Sequence, residues 1–328
     1  MTARRPSRPT RRRAPAPPTA PTIEAIPLVG GRKEHPAIGL GLWGLGRWTA
    51  EDEARTKATI GRAYEAGVRW FDTAEVYGAG RSERILGDVL HRTAGAGSDA
   101  FVVTKVSWEH LRPAQVRASL INSLERLARR SVDLYLIHAP DPHVPLSQTM
   151  PALEALWKEG RVGAIGVSNF GLAELEEAQR HLTEARIAVD QVRYNLLDPE
   201  DGDPIRDHCR REGILIEAYT PLARGLLSGR YLDGQRIPAA VRRLSERLLE
   251  PGREETTLAR ARALRLLAQE ARVPLPSLAF HWLRRQGAAP IFGASRPEQV
   301  DENLAAYAVR PPEPVLDRAE AIARGERA

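Results

Sequence analysis

Short apolar, β-rich runs alternate with longer amphipathic stretches eight times along this chain. The predicted strands are Ile38–Trp43, Val68–Asp72, Phe101–Lys105, Val132–His138, Val162–Ser168, Ala188–Gln191, Ile214–Tyr219 and Pro290–Gly293. Helices are predicted over Glu51–Ala66, Ser82–Arg92, Pro113–Arg129, Leu146–Glu159, Leu172–His181, Pro204–Glu212, Thr257–Ala271 and Pro297–Ala306. Val116, Leu120, Leu124 and Leu127 show the spacing of one helical face. Pro113, Pro204 and Pro297 suit first helical turns. Strict alternation requires parallel strands joined by crossovers. Eight units in roughly 300 residues predict an α/β fold, a (β/α)8 TIM barrel. A two-domain Rossmann enzyme would need GxGxxG after its first strand. Gly39, Gly41, Gly44 and Gly46 do not have that spacing, and no acidic residue follows at the right distance. The stretch from Thr220 to Thr256 reads as a long loop after strand seven, with a basic helical piece at Val241–Leu249. A loop of that length in a compact domain is usually functional, so it reads as a lid.

The formal charge of +6 invites a nucleic-acid reading. Six arginines and five prolines fall within residues 1–20, which carry no acid, so residues 21–328 are formally neutral. Residues 1–23 are therefore expected to be a disordered Arg/Pro-rich extension, and 24–328 a single barrel domain. Any nucleic-acid contact would be confined to the tail and steeply salt-dependent. A single cysteine, Cys209, excludes an intramolecular disulfide and a cysteine-built metal cage. No metal site is expected. With no run of 18 apolar residues and no secretory h-region, the expected location is the cytoplasm. Cys209 reads as helix packing, and His110 and His143 as solvated loop residues.

What ends the strands carries the chemistry. Asp72, Lys105, His138, Ser168-Asn169, Gln191 and Tyr219 each close an apolar run. In a barrel these ends open on one face, where such enzymes keep their active sites. Lys105 is one of only four lysines among 48 basic residues, which draws attention to it. A phenol such as Tyr77 titrates near ~10 and needs tuning to exchange protons at neutral pH. A nearby ammonium would lower that value, and a carboxylate would hold the ammonium. A neutral histidine can orient a carbonyl oxygen. The set suits protonation of an alkoxide formed by hydride addition. No nucleophile stands beside a base, which weakens acyl transfer, and no pair of flanking carboxylates suggests a glycosidase.

At these residues the chain resembles the aldo-keto reductase superfamily, from about residue 24 to 310. The segments carrying the likeness are FDTAEVYG (Phe71–Gly78), VVTK (Val102–Lys105), LYLIHAPD (Leu134–Asp141), GVSNF (Gly166–Phe170), QVRYNL (Gln191–Leu196), AYTPL (Ala218–Leu222) and GASRPEQVDEN (Gly293–Asn303). The resemblance implies a catalytic tetrad of Asp72, Tyr77, Lys105 and His138. Tyr77 would be the acid in reduction, Lys105 with Asp72 would tune it, and His138 would orient the substrate carbonyl. It implies NADPH/NADP+ as cofactor, with NAD as the alternative. Ser168, Asn169 and Gln191 would hold the nicotinamide carboxamide, and Tyr219 would stack on the ring. Thr220, Pro221, Leu222 and Gly225 would line the pyrophosphate, with Ser228 and Arg230 nearby. Ser295, Arg296 and Gln299 fall where the family meets the 2′-phosphate, Glu302 and Asn303 where it meets adenine, and Gly293 is also expected to touch the cofactor.

Many members carry Lys-Ser after the last strand and an arginine at the position of Gln299. Here Gly293-Ala294-Ser295-Arg296 stands instead, and Arg296 can supply a bidentate phosphate contact. Leu42 replaces a threonine often found before Trp43. Trp43 and Trp108 are expected to wall an apolar substrate pocket, and Trp48 to lie at the rim. The tail after Pro311 is short, so a long C-terminal substrate loop is not expected. The partner implied is a small-molecule carbonyl substrate, with a monomer or homo-oligomer left open. The competing reading is a cofactor-sensing regulatory subunit, like the potassium-channel β subunits. That branch replaces the tetrad histidine, which His138 retains here.

Overall fold

A computed structural model of the chain describes residues 22–43, 49–94 and 99–326. Eight parallel strands close into a barrel. They are β1 Gly39–Gly41, β2 Trp70–Asp72, β3 Phe101–Val106, β4 Leu134–Ile137, β5 Ile165–Ser168, β6 Ile187–Arg193, β7 Leu215–Tyr219 and β8 Ala288–Gly293. β8 pairs with both β7 and β1, so no edge is left open. The α/β barrel is the fold that the strand–helix alternation predicts.

Side chains alternate between two packed layers along the strands. Phe101 and Val103 of β3, and Leu134 and Leu136 of β4, join Trp70 and Ile291 in one buried cluster made almost wholly of strand residues. Their neighbours Val102, Tyr135 and Ile137 join a larger cluster that includes the helices. With a side-chain period of two, the first cluster is the barrel lumen and the second the strand–helix shell. Gly39 makes room for the largest lumen residue. A Cβ at Gly39 would stand 2.2 Å from the Trp70 ring.

The helices are α1 Ala50–Glu65, α2 Arg81–Ala94, α3 Pro113–Leu127, α4 Leu146–Lys158, α5 Leu172–Arg180, α6 Asp203–Glu212, α7 Ala239–Leu244, α8 Glu246–Leu249, α9 Glu254–Glu270, α10 Leu275–Arg285, α11 Pro297–Ala308 and α12 Glu313–Arg324. The excursion after β7 holds a 3-10 turn at Ala223–Ser228 as well as α7 and α8.

Two helices were not predicted. α10, not α9, packs against β8 and α11 and acts as the seventh crossover helix, while α9 packs on α12. α10 buries seven of its eleven residues and sets His281, Arg284 and Arg285 at the spacing of one polar face, so its sequence does carry an amphipathic pattern. The buried residues of α12 are Leu316, Ala319 and Ala323, too small a stripe to stand out.

A two-stranded antiparallel ribbon, Ala25–Ile26 with His35–Pro36, also carries no sequence signal. Its loop residues Leu28 and Val29 pack on the lumen cluster. His35 stands edge-on to Trp70 and Phe101, the first residues of β2 and β3, with ring centroids 4.2 and 4.8 Å apart. The ribbon thus closes the barrel at the strands' N-terminal end. Of the extension expected over 1–23, residues 1–21 lie outside the described residues, as does Trp48, while Ile23 is partly buried and packs against the core. Among the described residues no helix is long and apolar enough to cross a membrane.

Candidate active site

Asp72 and Lys105 end β2 and near-end β3, adjacent strands of the same sheet. Lys105 is fully buried and donates to both Asp72 carboxylate oxygens at 2.7 Å and to the Thr73 carbonyl at 2.9 Å. Its Nζ lies 3.4 Å from the Tyr77 hydroxyl. Tyr77 sits in the turn between β2 and α2, where Gly78, Ala79 and Gly80 all take positive φ. Burial alone would lower the Lys105 pKa, but Asp72, Tyr77 and Glu217 outweigh it and hold the ammonium charged. His138 follows β4, its ring edge-on to Tyr77 at 5.5 Å and to Trp108 at 5.8 Å. The four residues singled out as the tetrad therefore meet at one point.

Lys105 pulls the Tyr77 pKa down as expected, but burial is the larger effect and, with Asp72 assisting, pushes it up to about 12. The phenol stays protonated. Burial, with the Lys105 charge assisting, holds His138 down at about 3, so its imidazole is neutral.

A cleft of about 600 Å³ opens above these groups. Its wall is knitted from several strand ends. Ser168 Oγ donates to the Gln191 backbone carbonyl at 2.7 Å, and Asn169 Nδ2 donates to the His138 backbone carbonyl at 2.9 Å. The Tyr219 hydroxyl donates to Asn169 Oδ1 at 2.9 Å, bridging β7 to β5. Asn169 has φ of 61°, a conformation asparagine tolerates better than most residues. Past Tyr219 the backbone turns left-handed at Thr220, Ala223, Arg224 and Gly225. The three non-glycine residues among them, within five positions, are costly and mark a backbone shaped for something other than its own stability.

Thr220, Pro221, Leu222, Gly225, Ser228 and Arg230 line this cleft, as do Gly293, Ser295, Gln299, Glu302 and Asn303 at its far end. Gln299 Oε1 accepts from the Ser295 backbone N–H and hydroxyl at 2.7 and 3.0 Å. Arg296 is outside the lining and lies between Glu298 at 3.5 Å and Glu302 at 3.3 Å. Those exposed pairs cost little to break. Trp43, 47% exposed, lines the mouth, while Trp108, 45% exposed, sits at the rim against His138. Leu42 is fully buried.

Four residues escaped the sequence reading. Arg193 and Arg224 both line the cleft. Arg224 lies 4.5 Å over the Trp43 ring and donates to the Leu244 carbonyl at 2.8 Å, with no carboxylate partner among the described residues. Glu217 and His35 are buried beneath the tetrad. Arginine is abundant throughout the chain, which hid the first two. Glu217 interrupts the apolar run of β7, and that was its signal. His110, its side chain 46% exposed, has Nδ1 3.0 Å from Glu75. Cys209 is buried in α6, and burial pushes its thiol up to about 12, which leaves it inert.

A parallel eight-stranded barrel with Asp, Tyr, Lys and His at its C-terminal mouth defines an oxidoreductase class. The aldo/keto reductase family profile matches residues 37–324, and the chain belongs to that family. An uncharacterised oxidoreductase of Mycobacterium tuberculosis is 36% identical over 286 residues, covering 85% of this chain and 86% of that protein. The glycerol dehydrogenase AKR11B4 of Gluconobacter oxydans superposes with a TM-score of 0.81 at 26% identity, covering 91% of this chain and 94% of that one. An aldo/keto reductase of Klebsiella pneumoniae, solved with NADP and acetate, gives 0.72 at 25% identity, covering 90% and 94%.

Proposed function

We propose that this oxidoreductase interconverts aldehydes or ketones and their alcohols with NADPH/NADP+. The observation that carries the reading is a protonated Tyr77 held 3.4 Å from a buried, charged Lys105 beside a neutral His138. When bound, the cofactor supplies or accepts the hydride. In reduction, His138 donates a hydrogen bond to the carbonyl oxygen and places it beside Tyr77. The Tyr77 hydroxyl then delivers its proton to the oxygen as negative charge grows there. The resulting phenolate is stabilised by Lys105, whose own charge is balanced by Asp72.

The cleft's donor set fits a dinucleotide. Tyr219 offers a flat ring at the end of β7. The left-handed positions Thr220, Ala223, Arg224 and Gly225, with Arg224 unneutralised by a carboxylate among the described residues, suit a pyrophosphate. Arg296 supports NADP over NAD, as does the NADP bound to the Klebsiella relative. Trp43 and Trp108 would bound an apolar substrate. We take residues 24–328 as the functional unit, because the ribbon packs into the same lumen core.

The test monitors reduced-nicotinamide absorbance with a panel of aldehydes and α-dicarbonyls, beside Tyr77→Phe. The expected result is turnover in the wild type only, with both proteins binding NADPH. Binding without turnover on any substrate would favour the regulatory-subunit reading. No NADPH binding would overturn the cofactor assignment.

A further inference from the structure

Gln191 and Glu217 are register partners on the adjacent strands β6 and β7. Gln191 Nε2 stands 2.7 Å from Asp72 Oδ2 and 2.6 Å from Glu217 Oε2. An ionised carboxylate only accepts hydrogen bonds, and an amide nitrogen has two hydrogens to give. Both hydrogens are therefore spent on the two acids, one each. Gln191 has only its carbonyl oxygen left to offer the cleft that it lines.

Glu217 is itself fixed from below. Its Oε1 accepts from His35 Nε2 at 2.9 Å, and both side chains are fully buried. Hydrogen bonding to a carboxylate places the ring proton on Nε2, leaving Nδ1 buried without a partner. Trp70 and Phe101 clamp the imidazole edge-on, so it cannot turn to use Nδ1. An acid and an imidazole in the lumen are expensive to bury, and packing alone does not account for them.

We propose that His35 and Glu217 form a positioning pair that locks the Gln191 amide in one orientation, so that the site presents a hydrogen-bond acceptor, and no donor, to the nicotinamide substituent. The pair would thereby select a ring that carries an N–H group, a carboxamide, over one that does not. This rests on the reading of Gln191 as a carboxamide contact.

The test compares dissociation constants of NADP+ and its 3-acetylpyridine analogue, whose ring bears a methyl ketone in place of the carboxamide. Binding is read from tryptophan fluorescence quenching. In the wild type the analogue is expected to bind about tenfold more weakly, the scale of one hydrogen bond lost against an unpaired acceptor. Glu217→Met removes the acceptor that holds the second amide hydrogen and should bring the two constants within about twofold. Glu217→Gln keeps an acceptor oxygen and should retain the discrimination. Should Glu217→Met fail to fold, the pair Glu217→Met with His35→Leu, which strands no buried imidazole, gives the same reading.

Undiminished discrimination in the Met variants would overturn the proposal while leaving the cofactor assignment standing. So would equal binding of both nucleotides by the wild type. Loss of discrimination in Glu217→Gln as complete as in Glu217→Met would assign the effect to packing and also overturn it. Failure of the wild type to bind NADP+ would overturn the cofactor assignment itself, and this proposal with it.

Discussion

Lys105 grips both oxygens of Asp72 at 2.7 Å but stands off at 3.4 Å from the Tyr77 hydroxyl. The lysine is thus anchored to the acid and only leans on the phenol. Lys105→Met should separate two consequences. Asp72 becomes an unpaired buried charge, costing about 3–5 kcal/mol of stability. Turnover should also fall by roughly 10²-fold or more, because the phenolate loses its counter-charge. Pairing Lys105→Met with Asp72→Leu should recover most of the stability and none of the turnover. Urea unfolding and single-turnover kinetics read the two effects, and an unchanged unfolding midpoint in Lys105→Met would contradict the first.

The neutrality of His138 sets a pH window. Burial, then the Lys105 charge, lowers its pKa from the usual 6.5 to about 3. The unfolded chain therefore binds a proton between those values that the folded chain refuses. The contribution to stability is complete above about pH 6.5 and is lost progressively as the pH falls towards 3. Carbonyl reduction should show no inflection near pH 6.5 when kcat is measured from about pH 5 to 9. An inflection there that disappears in His138→Gln would show that the imidazole does titrate in the working range.

Glu154 provides a second acid-sensitive element, remote from the chemistry. Its carboxylate accepts from the backbone N–H groups of Thr183, Glu184 and Ala185 and from the Thr183 hydroxyl, at 2.8–2.9 Å. Partial burial opposes ionisation, but these donors together overcome it and bring the pKa from 4.5 down to about 2. The stabilisation is present above pH 4.5 and is lost as the pH falls towards 2. Glu154→Gln should cost about 1–2 kcal/mol at neutral pH and flatten the acid limb of the stability curve. Equal acid limbs in the two proteins would refute it.

Packing at Gly39 makes a prediction of its own. Gly39→Ala should destabilise by about 3 kcal/mol, since the Trp70 ring has nowhere to retreat inside the lumen. Combining it with Trp70→Leu should cost less than the sum of the single changes, because the clash is then gone. Additive behaviour in thermal unfolding would mean that the two residues do not compete for the same space.

The barrel and its tetrad were legible because both rest on repeated, local signals. Each strand is an apolar run, most of them closed by a polar residue, and the ends converge by topology alone. Asp72, Lys105 and His138 could be found simply by asking which residue closes each run. Glu217 was not found, although it sits inside such a run, because its partners Gln191 and His35 come from distant parts of the chain. α10 shows a helical period as well, with polar His281, Arg284 and Arg285 three and four residues apart, yet it lies outside the eight predicted helices. The burial that outweighs Lys105 at Tyr77 was not legible, because the sequence names the charges but not the depth at which they are buried.

The ribbon of Ala25–Ile26 and His35–Pro36 stoppers the end of the barrel opposite the catalytic mouth. Thr22, just ahead of the ribbon, therefore lies at the blind end. An enzyme tethered to a bead or electrode at that residue would stand with its entrance facing the bulk solution. A tether that displaced the ribbon would instead pull His35 from the foot of a hydrogen-bonded column that reaches up to Lys105.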